Sequence, residues 1–179
     1  MNYYFLTSSR LGFRLWGKDD TALATALWGD CQVLRFIDSR DALTSAEAEQ
    51  RLCSEISTQQ EHKVQYWPIF LLATGQHVGC CGLHARDIPA GEANFGVHLR
   101  PEFWGSGLAM EAGKAVIGYA FGTLGMKKVF AGHNPENSAS RAMLKKLGFV
   151  YLEDEFYAPT CLMHPLYVMT AEDVKDVDW

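Results

Sequence analysis

The sequence lacks the marks of several large protein classes. Its five cysteines, Cys31, Cys53, Cys80, Cys81 and Cys161, contain no Cys-x-x-Cys pair and form an odd, scattered set. Disulfide frameworks and tetrahedral zinc sites need paired or regularly spaced thiols, so both are excluded. The thiols are expected to be buried and reduced. No two of the six histidines lie four apart on a helical stretch, which removes the usual spacing for a metal pair. No metal is therefore expected. Positive charge is also short: 16 Lys and Arg stand against 21 Asp and Glu, for a net charge of -5. Nucleic-acid binders carry a basic face, so a nucleic-acid partner is not expected. Long apolar runs are missing. The longest, residues 69–73, falls far below the roughly 20 residues of a membrane span. Residues 1–6 have no basic start and only a short apolar stretch, unlike a signal peptide. These absences together lead to the expectation of a cytoplasmic protein with no membrane partner.

What is present suits one packed domain. The chain has 179 residues, of which 48% are hydrophobic and 12% aromatic. Leu11, Phe13 and Leu15 alternate with Gly12, Arg14 and Trp16, the period of a strand. Asp19 and Asp20 can cap a helix with Leu23, Ala26 and Leu27 inside. Thr44 and Glu47 have the capping-box spacing and open a helix with Ala48, Leu52 and Ile56 on one face. Residues 66–73 and 77–84 read as a hairpin around Thr74-Gly75-Gln76. A further strand, 92–99, ends at Arg100-Pro101. After Gly107, Leu108, Ala112, Ala115, Val116, Tyr119 and Ala120 recur at helical spacing. Strand 127–132, a helix ending at Leu147 before Gly148, and strands 149–155 and 166–170 complete the chain. The order β-α-α-β-β-β-α-β-α-β-β predicts an α/β fold with a mixed sheet. Its strands are mostly antiparallel, with one parallel crossover.

The turn Trp104-Gly105-Ser106-Gly107-Leu108-Ala109 lies between a predicted strand and a predicted helix. Its glycines allow backbone to approach a ligand, and the free N–H groups and dipole of a helix start favour an anion. A phosphate-bearing ligand is one reading; a tight turn with no ligand is the other. The turn is not a P-loop, because Ala109-Met110 replaces the Lys-Ser or Lys-Thr. Nor is it the dinucleotide fingerprint, because Met110 stands at the third small position.

The segment from Ala93 to Phe149 resembles the central motifs of the GNAT superfamily of acetyl-CoA-dependent N-acetyltransferases. It is most similar to the branch containing the ribosomal-protein N-terminal acetyltransferases. The resemblance rests on Trp104-Gly105-Ser106-Gly107, Glu111-Ala112, Asn137-Ser138-Ala139-Ser140 and Lys146-Leu147-Gly148-Phe149, in that order. It implies a GNAT-like fold whose sheet is splayed to bind acetyl-CoA, with pyrophosphate on the backbone of Gly105, Ser106, Gly107, Leu108 and Ala109 beside Trp104. It further implies a pantetheine arm pairing with Val97, His98 and Leu99, and a channel lined by Asn137 and Ser140. Acetyl-CoA would lie between residues 95–99 and 129–133. Where many members of the superfamily have a tyrosine acid, four residues before the helix-ending glycine, this chain has Leu144.

The implied reaction is direct attack of a primary amine, from a protein N-terminus or a small molecule, on the acetyl thioester. A base must take the amine proton. Glu92, at the start of the strand facing the substrate, is the candidate. His98 and His133 are rivals. The oxyanion is expected on a backbone N–H near residues 97–99. Ser140 is the candidate acid, although hydrogen bonding to cofactor or backbone is its alternative. Leaving a thiolate of pKa near 8.5 unprotonated at pH 7 costs only about 2 kcal/mol, so the tyrosine is dispensable. Glu111 is explained by the helix dipole alone. The acceptor side is expected at the two early helices and at loops 85–91 and 156–164. Trp28, Phe36, Trp67, Phe156 and Tyr157 could give it an apolar wall. A non-catalytic acyl-CoA-binding module is the alternative function. The resemblance also admits a homodimer.

Overall fold

A computed structural model describes residues 4–176. Part of the amino-terminal segment weighed against a signal peptide, residues 1–3, lies outside them. The chain runs through β1 (Leu6–Thr7), β2 (Leu11–Phe13), α1 (Thr21–Trp28), α2 (Cys31–Leu34) and α3 (Ser45–His62). It continues with β3 (Tyr66–Leu71), β4 (His77–Asp87), β5 (Glu92–Leu99), α4 (Leu108–Gly122) and β6 (Lys128–Gly132). It closes with α5 (Ser138–Leu147), β7 (Val150–Tyr157) and β8 (Leu162–Thr170). The strands form one sheet in the order β1-β2-β3-β4-β5-β6-β8-β7. Every pairing is antiparallel except β5 with β6, which α4 connects. This is the mixed sheet with one crossover that the element order predicts.

The sheet carries a separate apolar cluster on each face. One gathers Leu108, Ala112, Val116, Ile117 and Ala120 of α4 against Leu83, Phe95 and Val129. The other gathers Ala24, Leu27 and Trp28 of α1 with Ala48 and Leu52 of α3 over Trp16 and Cys80. Cys80 and Cys81 fall in opposite clusters, as neighbours on a strand must.

Several expectations are corrected. The two-residue β1 and the four-residue α2 are too short to leave a periodic signal. Asp20 does not cap α1 with its side chain; it accepts from the Gly17 N–H and pairs with Arg14. Ala26 faces solvent, while Ala24 and Trp28 are buried. Cys31, Cys53 and Cys161 are exposed, so burial holds only for Cys80 and Cys81. β4 continues to Asp87, and β7 and β8 extend into residues expected as loop, leaving 158–161 as the turn of a long hairpin. Cross-strand pairing at Tyr157↔Leu162 sustains these ends, a long-range contact that local periodicity does not encode. The capping box of α3 forms as expected: Thr44 Oγ1 accepts from the Glu47 N–H, and the Glu47 carboxylate from the Thr44 N–H.

Candidate active site

The parallel pairing of β5 with β6 covers only Glu92↔Lys128, Ala93↔Val129 and Asn94↔Phe130. Beyond Asn94 the two strands part, while β5 stays paired to β4 through Leu99. One edge of residues 95–99 is therefore left with no strand partner. An open strand edge of this kind offers free N–H and C=O groups, a suitable receptor for an extended ligand. The opening belongs to a cleft of about 820 Å³. Val97, His98 and Leu99 line one wall; Ala131, Gly132 and His133 line the other.

The glycine-rich turn stands at the mouth of the cleft. Trp104, Gly105, Gly107, Leu108 and Ala109 all line it. Gly107 is the N-cap of α4 with φ 79° and offers no side chain to the helix's free N–H groups. Gly105 has φ 71°, and a Cβ placed there would meet nothing within 4 Å. The first turn of α4 thus presents unpaired amides to open space, at the positive end of a fifteen-residue helix. Ser106 is the exception among the turn residues: it does not line the cleft, and its hydroxyl donates to the Phe103 carbonyl. Trp104 is 50% exposed and fixes the turn by donating Nε1–H to the Leu99 carbonyl at 2.8 Å.

The turn is anchored by residues far away in sequence. Glu111, in the first turn of α4, accepts from Ser8 Oγ at 2.7 Å and from the Arg10 N–H and Nε at 2.6 Å each. Arg10 also donates to the Ser106 carbonyl at 3.2 Å. Burial raises the Glu111 pKa, but the Ser8 and Arg10 hydrogen bonds outweigh it, and the carboxyl lies below its ordinary value. The dipole argument for Glu111 is therefore incomplete. Its contacts clamp the turn to the β1–β2 corner, and nothing local in the sequence signals Arg10.

Asn137 and Ser140 also reach the cleft. Asn137 caps α5 by accepting from the Ser140 N–H at 3.0 Å, which leaves its amide hydrogens available. Leu144 is buried and lines the cleft. His133 donates from Nδ1 to the Asn134 carbonyl at 2.8 Å. Its Nε2 is buried with no partner among the described residues, an orphaned acceptor facing the cleft.

Glu92 is not brought to the cleft. It sits where β5 and β6 are still paired, with its carboxylate 3.2 Å from Lys128 Nζ. The strand start faces the closed end of the splay, so the residue expected as base is on the wrong side of its vertex. His98 lines the cleft, but Trp28 Nε1 donates to its Nδ1 at 3.3 Å. Burial, then the nearby Arg51 charge, holds its pKa well below the ordinary imidazole value. It is a poor proton acceptor.

The side of the cleft where the acceptor is expected is built by α2 with the residues that follow it and by the β7–β8 hairpin. Val33, Phe36 and Ile37 line it from one side, Phe156 and Tyr157 from the other. The two sides touch where the Ser39 N–H donates to the Pro159 carbonyl at 2.8 Å. Trp28 and Trp67 are core residues instead. Sequence reasoning missed a further pair here. Glu55, on α3, lies 2.9 Å and 3.0 Å through its two oxygens from Nε2 of His84, on β4. Glu55 was hidden beside the Leu52–Ile56 face it shares, and no motif marks His84.

Among the described residues, no cluster of three or more His, Cys, Asp or Glu could hold a metal. No helix among them is long and apolar enough to cross a membrane.

Known proteins share this architecture. An uncharacterised N-acetyltransferase of Bacillus licheniformis is 26% identical over 144 residues, covering 80% of this chain and 81% of its own. A crystal structure of a GNAT-family acetyltransferase from Bacillus anthracis superposes with a TM-score of 0.80 at 18% identity, over 93% of this chain and 98% of that one. The ribosomal-protein-S5-alanine acetyltransferase of Vibrio fischeri gives a TM-score of 0.74 at 18% identity, over 96% and 98%. The acetyltransferase (GNAT) domain profile matches residues 10–150, from the Arg10 clamp to the start of β7. With that match and the splayed β5–β6 pair, this chain belongs to the GNAT acetyltransferase family.

Proposed function

We propose that the chain transfers an acetyl group from acetyl-CoA to a primary amine. The observation that carries this reading is the divergence of β5 and β6 beyond Asn94, with the N-terminus of α4 at the mouth of the gap. The residues present fit the cofactor. The free amides of residues 107–109 and the open backbone at Gly105 suit a pyrophosphate. The unpaired edge of Val97, His98 and Leu99 suits the amides of a pantetheine arm. Asn137, Ser140 and the bare His133 Nε2 add side-chain polarity along the opposite wall. Five residues of strand span roughly 13–17 Å, a length suited to an extended arm. Bound there, acetyl-CoA supplies an acetyl thioester.

The chain's own groups then handle orientation and charge. The backbone N–H groups on the free edge of residues 97–99 are the candidate donors to the oxyanion. Ser140, which lines the cleft, would hydrogen-bond the cofactor and is the candidate hydroxyl for the leaving sulfur; Leu144 gives no acid at the position where many relatives have tyrosine. The acceptor enters between α2 and the β7–β8 hairpin. A protein α-amine, with a pKa of about 8, needs less deprotonation than a lysine amine near 10.4. That chemistry, and the likeness to a ribosomal-protein acetyltransferase, supports a protein N-terminus. A small amine suits the same aromatic walls.

Melting temperature with and without about 1 mM acetyl-CoA, with NAD as control, tests the cofactor. A ligand at 100 times its dissociation constant adds about 2.7 kcal/mol, or several degrees. A shift with acetyl-CoA alone, followed by acetylation of an amine, is the expected result. A shift without turnover of any amine would favour a non-catalytic acyl-CoA-binding module. A folded protein that does not shift removes the assignment.

A further inference from the structure

Glu55 stands out from the apolar face of α3. Its side chain is 3% exposed, yet it carries a carboxylate. One oxygen accepts from the Tyr66 N–H at 2.8 Å, and both lie within 3.0 Å of His84 Nε2. A carboxylate only accepts, so Nε2 must carry the ring proton. In the neutral ring, Nδ1 is then a bare lone pair. No hydrogen bond to that nitrogen occurs among the described residues. The imidazole is held flat against the Tyr66 ring, with centroids 3.8 Å apart and planes 5° apart. It lines the cleft and its side chain is 36% exposed.

Its place in the sheet matters as much as its partner. His84 is opposite Asn94, and Asn94 makes the last pair with Phe130 before β5 and β6 part. His84 is therefore beside the vertex, at the inner end of the unpaired edge, where an arm running inward from the α4 turn would bring its thioester. We propose that His84 is the base that takes the proton of the attacking amine, with Glu55 as its positioning partner. This rests on the acetyl-transfer reading above. The amine nitrogen forms a bond to the thioester carbonyl carbon while its proton passes to Nδ1. The tetrahedral adduct collapses, the C–S bond breaks, and the thiolate leaves with the electron pair. The proton on His84 then passes to that thiolate or to water, so nothing is oxidised. The buried Glu55 carboxylate offsets the imidazolium that forms, as a base in a low-dielectric site requires.

Other groups facing the pair do not duplicate it. Arg51, one helical turn before Glu55, is committed to the Trp28 ring at 4.5 Å. Arg86, on the His84 strand, pairs with Glu155 of β7 at 3.1 Å. Tyr66, from β3, and Tyr157, from β7, have pKa values raised by burial and remain neutral phenols near pH 7. His98, from β5, is kept neutral. His133 has a bare nitrogen but no carboxylate partner, and burial holds the pKa of His164, also in the cleft, below the ordinary imidazole value.

The test uses the full chain and two variants, His84→Gln and Glu55→Gln, with 2-phenylethylamine and an alanine-initiated peptide as amine probes. Glutamine at 55 can still accept from the Tyr66 N–H, but its amide donates to Nε2 and reverses the tautomer. His84→Gln is expected to lower kcat/KM by about 100-fold or more, and Glu55→Gln by about 10-fold or more. The acidic limb of the pH profile should move or vanish in both. Acetyl-CoA affinity should stay within about twofold of the unaltered protein. Unchanged rates or an unmoved limb overturn the assignment while leaving acetyl transfer standing. Nitrogen NMR of His84 gives a readout without turnover: a proton on Nε2 is expected, moving to Nδ1 in Glu55→Gln. A proton on Nδ1 in the unaltered protein overturns the proposal. Failure of both amines to react, with that tautomer present, would count against the transfer reading and carry this one with it.

Discussion

The two faces of the sheet are built differently. The α4 face is an apolar platform, with Leu108, Ala112, Val116 and Ile117 packed on Phe95 and Val129. The α1–α3 face also has an apolar centre, but Glu55, Gln65 and His77 are buried around it. These are satisfied unevenly: Gln65 accepts from the Trp16 N–H and donates to the Glu55 carbonyl, while neither ring nitrogen of His77 has a partner among the described residues. Holding a pyrophosphate needs fixed backbone, which dense apolar packing supplies. Deprotonating an amine needs titratable groups in a low dielectric, and those cost stability unless they are paired. The contrast separates a densely packed apolar face from one that carries buried ionisable groups, and under the proposed reading these are the cofactor side and the acceptor side.

The largest expected effect breaks the comparison through pH. His77 lies between Trp16 and Phe70, and burial, then the Arg100 charge, lowers its pKa to about 4. The unfolded value is near 6.5, so the unfolded chain binds the proton first. Stability is complete above pH 6.5 and is lost as pH falls toward 4, by about 3 kcal/mol from this group. Chemical denaturation across that range is expected to show the loss, and His77→Leu to flatten it. The second effect strikes the other face. Gly107→Val puts a β-branched residue at φ 79° and a side chain where the anion approaches. Acetyl-CoA affinity by calorimetry should fall about 100-fold, or about 2.7 kcal/mol, with the KM for the amine unaltered. Glu111→Ala is next. It leaves the Gly-rich turn intact but releases Arg10 and Ser8, so acetyl-CoA should bind about 10-fold more weakly. The smallest effect sharpens the distinction from the acceptor side. Phe36→Ala should raise the amine KM about 5-fold in steady-state kinetics while acetyl-CoA binding holds. An equal loss for both ligands would erase the division between the faces.

How much of this was legible in the sequence follows from how local each signal is. The α4 stripe, the capping box at Thr44 and Glu47, and the turn 104–109 are each contained in a few consecutive residues. They could be read from spacing and side-chain chemistry. Phe36, Phe156 and Tyr157 were expected as one apolar wall and do line one cleft. Trp28 and Trp67 had the same appearance and proved to be core. Glu92 was expected at the cleft and lies away from it, because its place depended on which end of β5 opens, and that is set by where pairing with β6 stops.

The sequence by itself determined the order of the longer elements, the single parallel crossover and the glycine-rich turn at the start of α4, because hydrophobic period, glycine and capping chemistry act over one or two helical turns. The tertiary structure alone decided where the sheet opens, that Arg10 and Ser8 clamp Glu111, and that Glu55 meets His84. Those contacts join residues 29 to 103 positions apart. They exist only once the strands have taken their register, which pairing and packing across the whole sheet must settle together.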